Sequence, residues 1–295
     1  SLNKKGITKE SEGALIIEID NLPPAMLRKS DGATLYITRD IASLEDRIKN
    51  YSPTKILYVV ANQQALHFEQ LFAIAKKLDW VNSELIHVKF GMVLGEDGKK
   101  LATREGKVVP LYEVIDKLTI LALNTVKEKS PDLKGEESKK IAETIALGAL
   151  KYNDLKQQPY SDITFDWDAM LDLRVNSGPY LQYTYARLAN ILKKVGDWSG
   201  GDISLLVEPS ERKIMRKLLD FPEAVIECSK LYTLNALALY LYELASVTNR
   251  FYEQIRIIED ENNERRNARL LLAETIAGVL KSGLGLLGIE TLERI

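Results

Sequence analysis

The chain has 295 residues, 45% of them hydrophobic, which is enough to build two domains of ordinary size, each with its own core. Charge is nearly balanced, 40 Lys and Arg against 42 Asp and Glu, so neither a uniformly basic nucleic-acid binder nor an acidic tail protein fits, and any nucleic-acid contact must be local. The single cysteine, Cys228, excludes a disulfide framework within the chain and a Cys-rich zinc site, and the two histidines, His67 and His87, are too far apart in sequence for a paired zinc motif.

Up to about residue 112 the texture is mixed α/β. Short β-rich runs at Ala14–Ile19, Lys55–Val60 and Leu85–Phe90 alternate with helix-like segments at Ile41–Asn50 and Gln64–Leu78, which predicts part of a parallel sheet. Three strands are fewer than a doubly wound sheet usually holds, so residues 1–112 look like half of a Rossmann-like domain. The chain opens Ser1-Leu2-Asn3 with no methionine, and the other half is expected upstream. After Pro110 the pattern turns helical, with periodic segments at Leu111–Lys129, Ser138–Asn153, Asp168–Lys194, Ser210–Lys230, Thr233–Ile257 and Asn263–Leu287 and breaks expected at Ser130-Pro131, Gly178-Pro179, Gly200-Gly201 and Phe221-Pro222. Leu234, Leu237, Leu241 and Leu244 show the spacing of a buried helical stripe. The division expected is therefore a partial α/β domain over 1–112, a helical connector over 113–168 and a helical bundle over 169–295. Their formal charges are about +2, −3 and −1, so the bundle as a whole has no electrostatic signature of RNA binding. No apolar run is long enough to cross a membrane, and no secretory signal is present.

Four segments carry chemistry. In Ser30-Asp31-Gly32-Ala33-Thr34-Leu35-Tyr36-Ile37-Thr38-Arg39-Asp40 a turn leads into a helix, and Tyr36 and Asp40, four apart, would share a face. A carboxylate and a phenol so placed suit a guanidinium; equally, Asp40 could cap Ile41–Asn50 while Tyr36 fills core space. The strand at Lys55–Val60 ends in Asn62-Gln63-Gln64, followed by His67. Carboxyl ends of parallel strands are where open α/β sheets bind ligands, although Asn and Gln are also ordinary helix-start residues and a lone histidine is often core.

The third segment, Phe90 to Lys107, is rich in glycine and carries Lys99, Lys100, Arg104 and Lys107. That composition suits stabilisation of a polyphosphate, or is simply a basic hairpin, and it matches neither the Walker loop nor the dinucleotide fingerprint. In the bundle, Asn176-Ser177-Gly178-Pro179-Tyr180-Leu181-Gln182-Tyr183-Thr184-Tyr185-Ala186-Arg187 starts a helix with Tyr180 and Tyr183 one turn apart, and Asn249-Arg250-Phe251-Tyr252-Glu253-Gln254-Ile255-Arg256 sets aromatics between arginines. Such rings could stack on bases, or could be core.

Taken together and in this order, the four segments resemble the C-terminal portion of the arginyl-tRNA synthetases, class I aminoacyl-tRNA synthetases, over essentially the whole chain. The resemblance implies that Tyr36, Asp40 and Gln64 hold the guanidinium of L-arginine. It makes Lys100-Leu101-Ala102-Thr103-Arg104 the counterpart of the class I Lys-Met-Ser-Lys-Ser loop. Ala102 and Thr103 depart from that consensus, leaving Lys99, Lys100, Arg104 or an upstream lysine to carry the transition-state charge. Lys99, Lys100 and Leu101 belong to the ATP loop, and Lys100, Thr103 and Arg104 to catalysis. Tyr180, Tyr183, Tyr252 and Arg256 would meet the tRNA anticodon.

The implied reaction is ATP-dependent formation of arginyl-adenylate, with Mg²⁺ accompanying ATP, followed by transfer to the arginine-accepting tRNA. It needs no tightly bound cofactor and no protein metal site. It relies on positioning and electrostatics, so a chain without a nucleophilic triad is no obstacle. A cytoplasmic monomer is the family expectation. With the N-terminal half of the catalytic domain lacking, the fragment alone is expected to be inactive. A tRNA-binding module and an interaction scaffold derived from a synthetase are the alternatives.

Overall fold

The computed structural model describes residues 2–80, 82–95, 98 and 109–295. They form two compact units, Ser1–Met92 and Val93–Ile295.

The first unit begins with an antiparallel meander of β1 (Lys9–Ser11), β2 (Ala14–Ile19) and β3 (Leu22–Arg28). This corrects the expectation that Ala14–Ile19 joins a parallel sheet. Glu12-Gly13 and Asp20-Asn21 are two-residue connections, too short for a parallel crossover, and Glu12, Gly13 and Asn21 adopt the positive φ that tight hairpins require. β3 was not legible because Pro23-Pro24 reads as a breaker, yet β3 lies at the sheet edge, where proline is tolerated. An Asx turn follows, Asp31 Oδ1 accepting from the Ala33 N–H at 2.9 Å. Helix α1 (Tyr36–Tyr51) then buries Ile37, Ile41 and Leu44.

A parallel pair, β4 (Lys55–Ala61) and β5 (Glu84–Phe90), is joined by the crossover helix α2 (Ala65–Lys77), with Tyr58 opposite His87. Phe68, Leu71 and Ile74 of α2 pack with Ile17, Leu27, Ile41 and Leu44 into one core, so a helix stripe and the inner face of the meander share their burial.

The second unit opens with β6 (Val93–Leu94), which pairs in parallel with β7 (Ile163–Thr164) and spans the helical hairpin α3 (Leu111–Lys129) and α4 (Gly135–Leu155). The periodic segment Asp168–Lys194 divides at the break expected at Gly178-Pro179 into α5 (Trp167–Leu171) and α6 (Gly178–Val195). Ser177 caps α6 by accepting from the Tyr180 N–H at 3.1 Å, with Pro179 in its first turn. Ser210–Lys230 likewise divides into α7 (Pro209–Leu219) and α8 (Phe221–Leu231), because Pro222 suits a helix start and not an interior.

The bundle closes with α9 (Asn235–Gln254) and α10 (Asn263–Leu286). Leu241, Leu244, Phe251, Ile276 and Leu280 are fully buried in its core. α4 and α6 meet glycine to glycine: a Cβ on Gly178 would stand 2.4 Å from the Gly148 carbonyl oxygen, a distance no side chain tolerates. The chain end is tied back as well, with Ser130 Oγ donating to the Ile295 carbonyl at 2.9 Å and Arg294 pairing with Asp132. Among the described residues no helix is long and apolar enough to cross a membrane.

Candidate functional site

In the first unit Tyr36 and Asp40 lie in the first two turns of α1, four apart as the spacing requires. Leu35, not Asp40, is the N-cap residue, and Tyr36 is 78% exposed, so the structure removes both the capping role and the core role left open by the sequence. Arg39 stands over the Tyr36 ring, 5.8 Å from its centroid.

Asp40 Oδ2 lies 2.6 Å from His67 Nε2. A carboxylate only accepts, so the proton sits on Nε2, and one carboxylate oxygen is thereby anchored across the α1–α2 contact while the Asp40 side chain stays 40% exposed. His67 is in turn held edge-on against Phe68, their ring centroids 5.2 Å apart. Sequence spacing kept the histidine apart from Asp40; its place one turn into α2, three residues after Gln64, is the signal that could have linked them. Gln64 sits exposed where a short 3-10 turn hands over to α2 at the carboxyl end of β4. His87 instead turns Nε2 to the Val60 carbonyl at 3.0 Å and leaves Nδ1 buried without a partner. Lys99, Lys100, Leu101, Thr103 and Arg104 lie outside the described residues.

In the second unit an arginine that the sequence did not single out organises the aromatic cluster. The guanidinium of Arg187, on α6, is 4.7 Å from the Tyr183 ring centroid and 4.6 Å from that of Tyr252 on α9. It donates to Tyr183 Oη and to Asn249 Oδ1, both at 3.1 Å, while Asn249 Nδ2 donates to Thr184 Oγ1 at 2.8 Å. One planar cation thus joins two tyrosines from different helices, Tyr183 half-buried and Tyr252 exposed. The i, i+4 step from Tyr183 to Arg187 was the available clue.

Tyr180 packs on Tyr242, ring centroids 5.7 Å apart, and with Tyr183, Arg187, Asn249 and Arg250 lines an open groove of about 440 Å³. The helix start beside it is tied by hydrogen bonds from the end of α4. Tyr152 Oη lies 2.6 Å from Asn176 Oδ1 and 2.9 Å from the Ala238 carbonyl, and burial holds its hydroxyl protonated far above the ordinary phenol range. Lys156 donates to the Asn176 carbonyl at 2.8 Å, and burial lowers its ammonium pKa.

Arg256 is not part of that cluster. α9 ends at Gln254, so the helical step from Tyr252 is broken, and Arg256 lines a different groove with Glu208 and Arg269 while pairing with Glu259 at 2.8 Å. This loop is braced from below. Arg269 donates to Glu211 Oε1 at 2.7 Å and to Asp260 Oδ2 at 2.6 Å, and Arg265 binds Asp260 through two bonds of 2.7 Å. The neighbouring guanidinium of Arg265, above all, holds the Asp260 carboxyl below its usual range. Among the described residues no group of three or more His, Cys, Asp or Glu could hold a metal ion.

Comparison with known proteins bears on the same two regions. The family model described as "tRNA synthetases class I (R), catalytic domain" matches residues 1–167, and that of the "DALR anticodon binding domain" matches residues 181–295. An arginine–tRNA ligase of Chloroflexus aggregans is 40% identical over 300 residues, covering 100% of this chain and 52% of the relative. That of Halothermothrix orenii is 38% identical over 305 residues, covering 100% and 52%. Among solved structures, the arginyl-tRNA synthetase of Plasmodium falciparum superposes with a TM-score of 0.84 at 28% identity, and that of Thermus thermophilus with 0.82 at 26%; each covers 100% of this chain, and 51% and 57% of the respective structure. The chain spans about half the length of the curated relatives it matches.

Proposed function

Because the chain belongs to the class I tRNA synthetases of the arginine type, we propose that it is the distal part of an ATP-dependent arginine–tRNA ligase, carrying one wall of the arginine pocket and the tRNA-anticodon reader. The observation that supports the second role most directly is the Arg187 clamp, which holds Tyr183 and Tyr252 at the surface for stacking on bases. In the arginine pocket Asp40 is the charge partner of the substrate guanidinium, with His67 fixing the carboxylate and Tyr36 and Gln64 adding neutral contacts. Lysine, lacking the planar fork, is the substrate such a site rejects.

The loop holding Lys99, Lys100, Leu101, Thr103 and Arg104 supplies cations to the ATP phosphates, and Mg²⁺ accompanies ATP as part of the substrate. Catalysis is by position and charge, so no side chain of this chain becomes covalently bonded. The protein works as a cytoplasmic monomer. The chain alone binds arginine-accepting tRNA and does not activate arginine, since the other half of its relatives' length is needed to close the nucleotide site.

Two assays on the purified chain separate these statements. Titration with labelled tRNA should show saturable binding, and arginine-dependent ATP–pyrophosphate exchange with tRNA present should give no signal. Exchange by the chain alone would refute the division of labour; absence of tRNA binding would refute the reader and favour an interaction scaffold.

A further inference from the structure

Beside the aromatic groove lies a second, and Ser246 and Arg250 of α9 line both. The second groove, about 450 Å³, runs between α7 and α9. On α7, Lys213, Arg216 and Lys217 stand at i, i+3 and i+4, one face of the helix. The two acids of this groove, Glu243 and Asp220, are both taken by Lys217, at 2.6 and 3.7 Å. That internal neutralisation leaves Lys213, Arg216 and Arg250, all exposed, with no ion pair of their own among the described residues. Residues 169–295 carry a net charge of only about −1, so this concentration of unpaired cations is a local feature and not a consequence of composition.

We propose that Lys213, Arg216 and Arg250 form a backbone track for RNA phosphates, continuous with the base-stacking groove at Tyr180 and Tyr183. The proposal rests on the tRNA-binding function above and deepens it by dividing the labour. Aromatic rings and Asn249 face bases, while the α7 face meets phosphodiesters without regard to sequence. Flexible, solvated ammonium and guanidinium groups in an open groove suit such contacts, because each releases condensed counterions and demands no fixed geometry. Lys217 serves as a positioning residue: by occupying Glu243 and Asp220 it keeps their charge from repelling the RNA backbone.

The test is tRNA binding by the full chain, measured by fluorescence anisotropy over a series of salt concentrations. The double variant Lys213→Ala/Arg216→Ala should lower the slope of log affinity against log salt by roughly 1.4 to 1.8, at 0.7 to 0.9 per phosphate contact. The loss should be the same for arginine-accepting tRNA and for that tRNA with its anticodon replaced. The charge-conserving double Lys213→Arg/Arg216→Lys should restore the slope. All three side chains are exposed, so the thermal unfolding of the variants should match the parent. A parent that binds tRNA with a slope unchanged by the double alanine variant overturns the track alone. A parent that binds no tRNA overturns both the track and the reader. Equal binding of the two tRNAs by the parent refutes anticodon reading while the change in slope still supports the track.

Discussion

Replacing Arg269 with methionine should destabilise the second unit more than any other single charge removal described above. Arg269 is 8% exposed and bridges two acids from different parts of the unit, Glu211 at the start of α7 and Asp260 in the loop before α10. Glu211 is fully buried, and its other oxygen accepts the Glu208 N–H at 2.9 Å to cap α7. Without Arg269 that carboxylate keeps one neutral donor in place of a charged partner, and removing one partner of a buried pair costs about 3–5 kcal/mol. At about 2–4 °C per kcal/mol for a unit of this size, the midpoint should fall by roughly 6–20 °C, read as the loss of helical circular dichroism.

Two companions sharpen the result. Arg265→Ala leaves Asp260 with Arg269, and its side chain is 42% exposed, so its cost should be about 1 kcal/mol or less. Glu211→Leu combined with Arg269→Met removes both charges and should recover much of the loss, because the penalty is an unpaired buried charge and not the absence of an attraction. A midpoint for Arg269→Met within about 2 °C of the parent, or a double variant as unstable as the sum of its parts, would refute this reasoning.

Other outcomes follow from the same geometry. In the full-length ligase, Asp40→Asn should raise the KM for arginine by about 10- to 100-fold, the worth of a charge-assisted hydrogen bond, with tRNA affinity unchanged. His67→Ala, which frees Asp40 Oδ2, should have a smaller effect in the same direction, about fivefold, and unchanged arginine kinetics in both variants would remove the pair from the pocket. Acid should weaken the second unit through Asp260. Its folded pKa is depressed, so its contribution is complete above the unfolded carboxyl value of about 3.9 and is lost as pH falls through the lower folded value. Asp260→Asn should lower stability at pH 7 and flatten the acid limb below pH 4, and an unaltered acid limb would contradict the assignment.

Helices were legible where burial is periodic and their ends are marked. Leu111–Lys129 needed no revision, since its apolar stripe lies between Pro110 and Pro131. Two long periodic runs divide where Gly178-Pro179 and Phe221-Pro222 mark a new helix start, because proline fits a first turn and not an interior. Sheet partnership was less accessible. Ala14–Ile19 and Lys55–Ala61 have similar apolar texture, and only the length of the connections tells the antiparallel meander from the parallel pair.

At the site, the i, i+4 pair Tyr36 and Asp40 followed from helix geometry alone. The Asp40–His67 bond joins residues 27 apart in sequence and the Arg187–Asn249 bond residues 62 apart, distances over which local spacing carries no information. Arg256 showed the converse. It falls inside the periodic segment Thr233–Ile257, yet α9 ends at Gln254 and Arg256 lines a different groove from Tyr180 and Tyr183.

The central claim, that Tyr183 and Tyr252 clamped by Arg187 read the anticodon, is tested most directly by one titration. The chain and its Tyr252→Ala variant are each titrated with arginine-accepting tRNA and with the same tRNA carrying a different anticodon. The parent should prefer the first, and Tyr252→Ala should lose about 1–3 kcal/mol, roughly 5- to 150-fold, of its affinity for that tRNA. Equal affinity of the parent for both tRNAs, or a Tyr252→Ala variant that keeps the parent's full affinity, would contradict it.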